Sequence, residues 1–258
     1  MTEPITYTLL DPTGNMTLLA ETSVPEKTQP LIARKLMELE PETEQVGFIS
    51  YGNDEIRLRM AGGEFCGNAS MSAAVLYMLH TGSGSGTVPV RVSGTPDPVI
   101  VEVETLSGNM WRGRVTMPRP LSVKKEHFPD GMMRPVVQFP GITHVILEEE
   151  MEKTEAEKLA PIWCQLLKAE GLGLMFLNRE KATLKPLVYV PEAGTLFWES
   201  SCASGTTAVG AVLLTESAKP VSVSLSQPGG TLEISAEEGR LLLTGTVKIV
   251  RRISEAVK

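Results

Sequence analysis

A cysteine opens a run of small residues twice in this chain, as Phe65-Cys66-Gly67-Asn68-Ala69-Ser70 and as Ser201-Cys202-Ala203-Ser204-Gly205-Thr206. The residues downstream of each cysteine repeat as well. A strand-like run at 88–92 leads to the turn Ser93-Gly94, and another at 221–225 leads to Pro228-Gly229-Gly230, so that Gly94 and Gly230 each stand 28 residues beyond their cysteine. A repeat of both residue type and spacing predicts one supersecondary plan built twice, hence two similar halves. The expected boundary lies in 118–135, where Pro118, Pro120, Pro129, Pro135 and the charged Lys124-Lys125-Glu126 interrupt periodic patterning. The division expected is residues 1–118, completed by 250–258 crossing back, and residues 119–249.

Within the halves, alternation and β-branching predict strands at 45–51, 55–60, 87–93, 99–103 and 113–117. Apolar residues at helical spacing predict helices at 26–39, 68–80, 156–167 and 205–216. The chain is therefore expected to be α+β, with more sheet than helix. The glycine-rich run 81–87 lacks the lysine of a phosphate loop and comes after a helix instead of opening one, so it reads as a helix-to-strand connection.

Charge and cysteine usage narrow the function. A net charge of −7 argues against a phosphate-binding surface, so no nucleic-acid partner is expected. No stretch has the apolar length of a membrane span, and the opening MTEPITYTLL lacks the pattern of a secretory signal, which together predict a cytoplasmic setting. Three cysteines without a CxxC pair imply no disulfide framework there, so each thiol needs its own explanation. Cys164, in Ile162-Trp163-Cys164-Gln165-Leu166, reads as core. His80, His127 and His144 are scattered without metal-ligand spacing, and neither a dinucleotide fingerprint nor a pyridoxal-phosphate lysine motif is evident; no metal and no cofactor are expected.

Cys66 and Cys202 sit among small polar residues that make a poor core. In pseudo-symmetric halves, equivalent positions face one another, which predicts a small-ligand cleft between the halves lined by both thiols. A cysteine at a helix start is expected to have a pKa lowered from about 8.5 toward neutrality by the helix dipole and free amides. Two acid–base groups on opposite faces of one carbon can remove an α-proton and return another without turning the substrate over, which is racemisation. The helix starts at Gly67-Asn68-Ala69 and Ser204-Gly205-Thr206 offer donors for the charge that gathers on a substrate carboxylate.

These residues resemble the diaminopimelate epimerase superfamily, which carries one catalytic cysteine per half in motifs like Cys66-Gly67-Asn68-Ala69 and Cys202-Ala203-Ser204-Gly205; the resemblance spans nearly the whole chain. Asp11-Pro12-Thr13-Gly14-Asn15-Met16-Thr17, Glu44-Gln45-Val46-Gly47-Phe48, Trp198-Glu199-Ser200-Ser201-Cys202 and Gln227-Pro228-Gly229-Gly230 look more closely like the histidine racemases of opine-metallophore biosynthesis. The resemblance implies two pseudo-symmetric domains, each a mixed, largely antiparallel sheet wrapped around a central helix. It also implies an often dimeric isomerase with Cys66 and Cys202 as paired acid and base. Asn15, Glu44, Gly67, Asn68, Ala203, Ser204 and Glu199 would bind the substrate, with Glu44 as partner of an imidazole. The stretch 191–195 lacks the arginine that would hold a distal carboxylate, and Gly141-Ile142-Thr143-His144 resembles the superfamily's Gly-Asn-Pro-His with its asparagine replaced. Racemisation of another amino acid such as diaminopimelate or hydroxyproline, and non-catalytic binding or thiol redox on the same scaffold, stay open alongside histidine.

Overall fold

The computed structural model describes residues 4–192 and 194–255. The chain divides into two compact units. One runs through Thr116 and resumes at Thr244; the other is Met117–Leu243.

In the first unit β1 (Ile5–Pro12) and β2 (Thr17–Ala20) form an antiparallel hairpin, and α1 (Gln29–Leu39) crosses over to β3 (Gln45–Tyr51), parallel to β2. Next, β4 (Ile56–Met60) lies antiparallel to β3, and α2 (Gly67–Thr81) crosses over to β5 (Ser85–Val92), parallel to β4. β6 (Val99–Ser107) and β7 (Met110–Thr116) complete an antiparallel run. The final strand, β16 (Arg240–Glu255), is bonded to both β7 and β1, so this sheet closes on itself. The strands alternate as a covered sheet requires: Val99, Val101 and Val103 are buried while Ile100, Glu102 and Glu104 are exposed. Every residue of α2 from Gly67 to Met78 is buried. Its lack of a polar stripe is a result of that position, since a helix enclosed by sheet has no wet face.

The second unit repeats the succession. β8 (Ser122–His127), β9 (Met133–Phe139) and β10 (Ile142–Leu147) are antiparallel neighbours, and α3 (Lys153–Leu166) crosses over to β11 (Leu172–Asn178), parallel to β10. β12 (Thr183–Val190) is antiparallel to β11 and carries the short added strand β13 (Thr195–Trp198). The buried helix α4 (Ala203–Ser217) then crosses over to β14 (Val221–Gln227), which pairs with β15 (Gly230–Glu237). Thus α1 and α3 play one part, α2 and α4 another, and β8 lies beside β9 as the end of β16 lies beside β1.

Among the described residues there are 16 strands and four α-helices, the mixed composition expected. Two local readings are corrected. The stretch 118–135, read as aperiodic, contains β8; Ser-Val-Lys-Lys-Glu-His looks like a solvated run and becomes strand through its pairing with β9. The helix expected over 26–39 is a 3-10 turn at Glu26–Thr28 leading into α1, whose Pro30 sits in the first turn where no donor is lost. Pro161 lies inside α3 and withholds one donor there. No helix is long and apolar enough to cross a membrane among the described residues.

Candidate active site

Both small-residue cysteines are N-caps of the buried helices, with nearly the same backbone: φ −135°, ψ 116° at Cys66 and φ −127°, ψ 108° at Cys202. Each sulfur accepts the amide three residues on, Ala69 N–H to Cys66 Sγ and Gly205 N–H to Cys202 Sγ, both at 3.4 Å. Each cysteine carbonyl accepts a hydroxyl one turn later, from Ser70 at 2.7 Å and from Thr206 at 2.7 Å. Asparagine, aspartate, serine and threonine are the residues favoured at this position, so a thiol here twice is unusual.

The 28-residue spacing has a structural reason. After β5, the Ser93-Gly94 turn folds back on the segment ahead of Cys66: Ser93 Oγ donates to the Glu64 carbonyl at 2.8 Å and accepts Met60 N–H at 3.0 Å. Gly94, at φ +78°, lies so close that a Cβ there would overlap Phe65 N and reach within 2.8 Å of the Glu64 carbonyl carbon. After β14, Gly229 N–H donates to the Ser200 carbonyl at 2.8 Å. Gln227 Oε1 accepts Cys202 N–H at 2.9 Å, while its Nε2 donates to Thr206 Oγ1 at 2.8 Å. In each unit a turn beyond the helix clamps the loop that delivers the cysteine.

Around Cys66 the predicted residues Asn15 and Glu44 join a chain of hydrogen bonds. Asn15 Nδ2 donates to Glu44 Oε2 at 2.7 Å, Gln45 Nε2 donates to Asn15 Oδ1 and to Thr17 Oγ1, and the Cys66 thiol donates to Gln45 Oε1 at 3.0 Å. Gln45, bonded to the Cys66 thiol, is a side chain that sequence reasoning did not single out, although an amide opening the apolar strand Val46-Gly47-Phe48-Ile49 was a usable signal. Gly67 and Asn68 form the buried first turn of α2, and Asn68 Oδ1 has no hydrogen-bond partner among the described residues. A buried amide oxygen without a partner is costly unless a ligand donor satisfies it.

In the second unit Ala203 and Ser204 form the first turn of α4 and Glu199 stands before Cys202. Cys202 is buried. Burial foremost, and then the Glu199 carboxylate, push its thiol pKa well above the ordinary value, against smaller opposing pulls from the Ser204 hydroxyl and Gly205 N–H. The helix-start lowering expected from sequence is outweighed here, because a dipole acts weakly beside full desolvation and a neighbouring anion. Ser204 Oγ lies 3.6 Å from Cys202 Sγ and 2.9 Å from His144 Nε2.

His144 is fully buried, and desolvation pulls its pKa from 6.5 to about 3. It is therefore neutral when folded at any pH above about 3, while the unfolded chain takes up a proton below about 6.5. Its contribution to stability is complete above the unfolded value and is lost as pH falls from about 6.5 toward about 3. Urea midpoints measured at pH 7.5 and pH 5 should show a larger acid loss for the native chain than for His144→Gln. Cys164 packs with Trp163 in a core cluster, its thiol donating to the Ala169 carbonyl at 3.2 Å and its pKa raised by burial, in accord with the core reading. Among the described residues no three His, Cys, Asp or Glu side chains converge as a metal set.

Comparison with known proteins bears on what such a site does. Residues 4–252 match the family described as histidine racemase CntK N-terminal domain. The chain is 34% identical over 254 residues to a histidine racemase of Fusobacterium nucleatum subsp. nucleatum, covering 93% of each, and 28% identical over 253 residues to a histidine racemase of Staphylococcus aureus, covering 90% of this chain and 89% of that one. Its fold is shared with a predicted epimerase from Pseudomonas aeruginosa, at a TM-score of 0.73 and 16% identity, with 98% and 99% of the two chains covered.

Proposed function

The chain belongs to the histidine racemase CntK N-terminal domain family and is an amino-acid racemase, an isomerase, and we propose that it interconverts L- and D-histidine by exchanging the α-proton between Cys66 and Cys202. The observation that carries this reading is the twice-built cysteine cap, with the same helix, the same backbone and the same 3.4 Å amide contact in each unit. A racemase must treat two mirror-image substrates alike, and a matched pair of acid–base groups does so with one thiolate removing the proton and one thiol supplying its replacement.

The reading requires both sulfurs to reach one α-carbon from opposite faces. The helix-start amides serve the substrate carboxylate, where negative charge builds as the proton leaves. Asn68 Oδ1 is suited to accept from the substrate ammonium, and Glu44, held by Asn15, to accept from the imidazole. Because two sulfurs and solvent supply the whole proton inventory, the proposed reaction takes no cofactor. On the same reading the enzyme is cytoplasmic and homodimeric, and its D-product feeds metallophore biosynthesis.

The decisive experiment incubates the protein with L-histidine in deuterium oxide and tracks α-proton exchange and D-isomer formation. Appearance of neither would overturn the reading. Substrate choice is tested at Glu44: Glu44→Ala should lower kcat/KM for histidine by about 10- to 100-fold, the loss of one hydrogen bond to a charged group. Any residual turnover of an aliphatic amino acid should change far less. An equal loss for both would mean that Glu44 only supports Asn15.

A further inference from the structure

In each unit one cross-strand pair supplies a long polar side chain near the cysteine cap, Gln45 bonded to Cys66 and His144 bonded to Ser204. The hairpin turns of β1–β2 and β9–β10 each contain a left-handed glycine, Gly14 and Gly141, and three residues later stand Thr17 and His144. Thr17 is the cross-strand partner of Gln45, and His144 that of Gly173. In the first unit the small member is Thr17, and Gln45 reaches Cys66 directly. In the second the pair is inverted: Gly173 gives up its side chain, and the His144 imidazole fills the space. A Cβ on Gly173 would overlap His144 Nδ1 and come within 2.7 Å of Met175 Cε, so this part of the sheet is shaped around that ring.

The ring's hydrogen bonding fixes its proton. Nδ1 is buried without a partner, and Nε2 lies 2.9 Å from Ser204 Oγ. A neutral imidazole has a single N–H, and placing it on Nδ1 would strand a buried donor; on Nε2 it donates to Ser204. With its oxygen so engaged, the Ser204 hydroxyl has its own proton to give, and Cys202 Sγ is 3.6 Å away.

We propose that His144 is a positioning residue for Cys202: its Nε2–H turns the Ser204 hydroxyl proton toward the sulfur and thereby favours the thiolate that abstracts a substrate proton. This rests on the reading of Cys202 as one of the two acid–base groups. Among the described residues, Glu199 is the charged group that faces Cys202 and opposes the thiolate; the neighbours Met175, Ala208 and Val209 are apolar. Neutral donors from His144 and Ser204 counter that carboxylate without bringing a cation into the core. A cation there would hold the thiolate too tightly to act as a base over and over.

The test is the pH dependence of iodoacetamide alkylation at Cys202 and Cys66, resolved by peptide mass spectrometry on the full-length protein without substrate. His144→Leu should raise the Cys202 midpoint by about one pH unit, the effect of one hydrogen bond to a charged sulfur, and leave the Cys66 midpoint in place. Ser204→Ala should do the same, the double variant no more than either alone, and His144→Gln, which keeps an N–H donor, should restore most of the shift. Should His144→Leu fail to fold, Ser204→Ala carries the test, because it leaves the buried ring intact. An unmoved Cys202 midpoint in a folded variant, additive shifts, or equal shifts at both cysteines would overturn the proposal. No turnover is measured, so an enzyme inactive on histidine would sink the racemase reading and leave this result standing.

Discussion

A chain carrying both Cys66→Ala and Cys202→Ala is expected to racemise histidine at least about 10⁴-fold more slowly than the native enzyme, since on the proposed two-thiol mechanism each removed group would supply acid–base catalysis of about 10²- to 10⁴-fold and the two would act as a unit. The single variants are more revealing. With Cys66 alone removed, Cys202 can still take the α-proton from one face and return deuterium to that same face. One enantiomer should then exchange without inverting, and the other should do neither. With Cys202 alone removed the enantiomers should trade places. Such a mirrored pattern is what two opposed bases predict and one base on a mobile arm does not. It is read by nuclear magnetic resonance in deuterium oxide together with chiral chromatography. Racemisation persisting in the double variant would exclude thiol catalysis.

Gly94→Ala is expected to cause a large loss of stability from one methyl group. At φ +78° an alanine costs about 1–2 kcal/mol, and the overlap with Phe65 N forces either the turn or the cysteine loop to move, adding about 1–3 kcal/mol. The melting temperature of a chain of this size should fall by about 10 °C. Because the displaced backbone leads into Cys66, kcat should fall as well, even in protein that remains folded. Gly82→Ala is the control: its φ is +72°, yet nothing lies within 4 Å of the added carbon, so it should lose only the conformational cost, about 1 kcal/mol, with no effect on turnover. Equal losses at the two positions would show that backbone strain, and no clamp on the cysteine loop, explains Gly94.

Which of these features the sequence disclosed depended on whether the cause was local. The strand at Gln45–Tyr51 and the helices around Asn68 and Gly205 were legible because apolar spacing and small residues state their environment directly. The equal spacing to Gly94 and Gly230 was visible as a pattern, but its reason, a turn closing over the loop ahead of each cysteine, involves contacts between segments nearly 30 residues apart. β8 was missed because its lysines and glutamate carry no strand signal; the signal lies in the strand beside it, where Val137 faces Val123 and Val136 faces Lys124. Gln45 and His144 were hidden for a related reason. Their side chains matter through cross-strand partners, Thr17 and Gly173, whose pairing no single segment announces. The pKa of Cys202 ran against expectation because burial, the foremost cause, is a tertiary fact, whereas the helix start is a local one.

β16 has a consequence for how the protein is made. The sheet of the first unit closes only when β16 lies between β7 and β1, and β16 is the last of the described elements to be synthesised. Throughout translation of the second unit, the first is a barrel short of one stave, with two bare strand edges of the kind that invite pairing between neighbouring chains on a polysome. Synthesis of β16, and not the completion of residue 116, is therefore the step after which the first unit can seal.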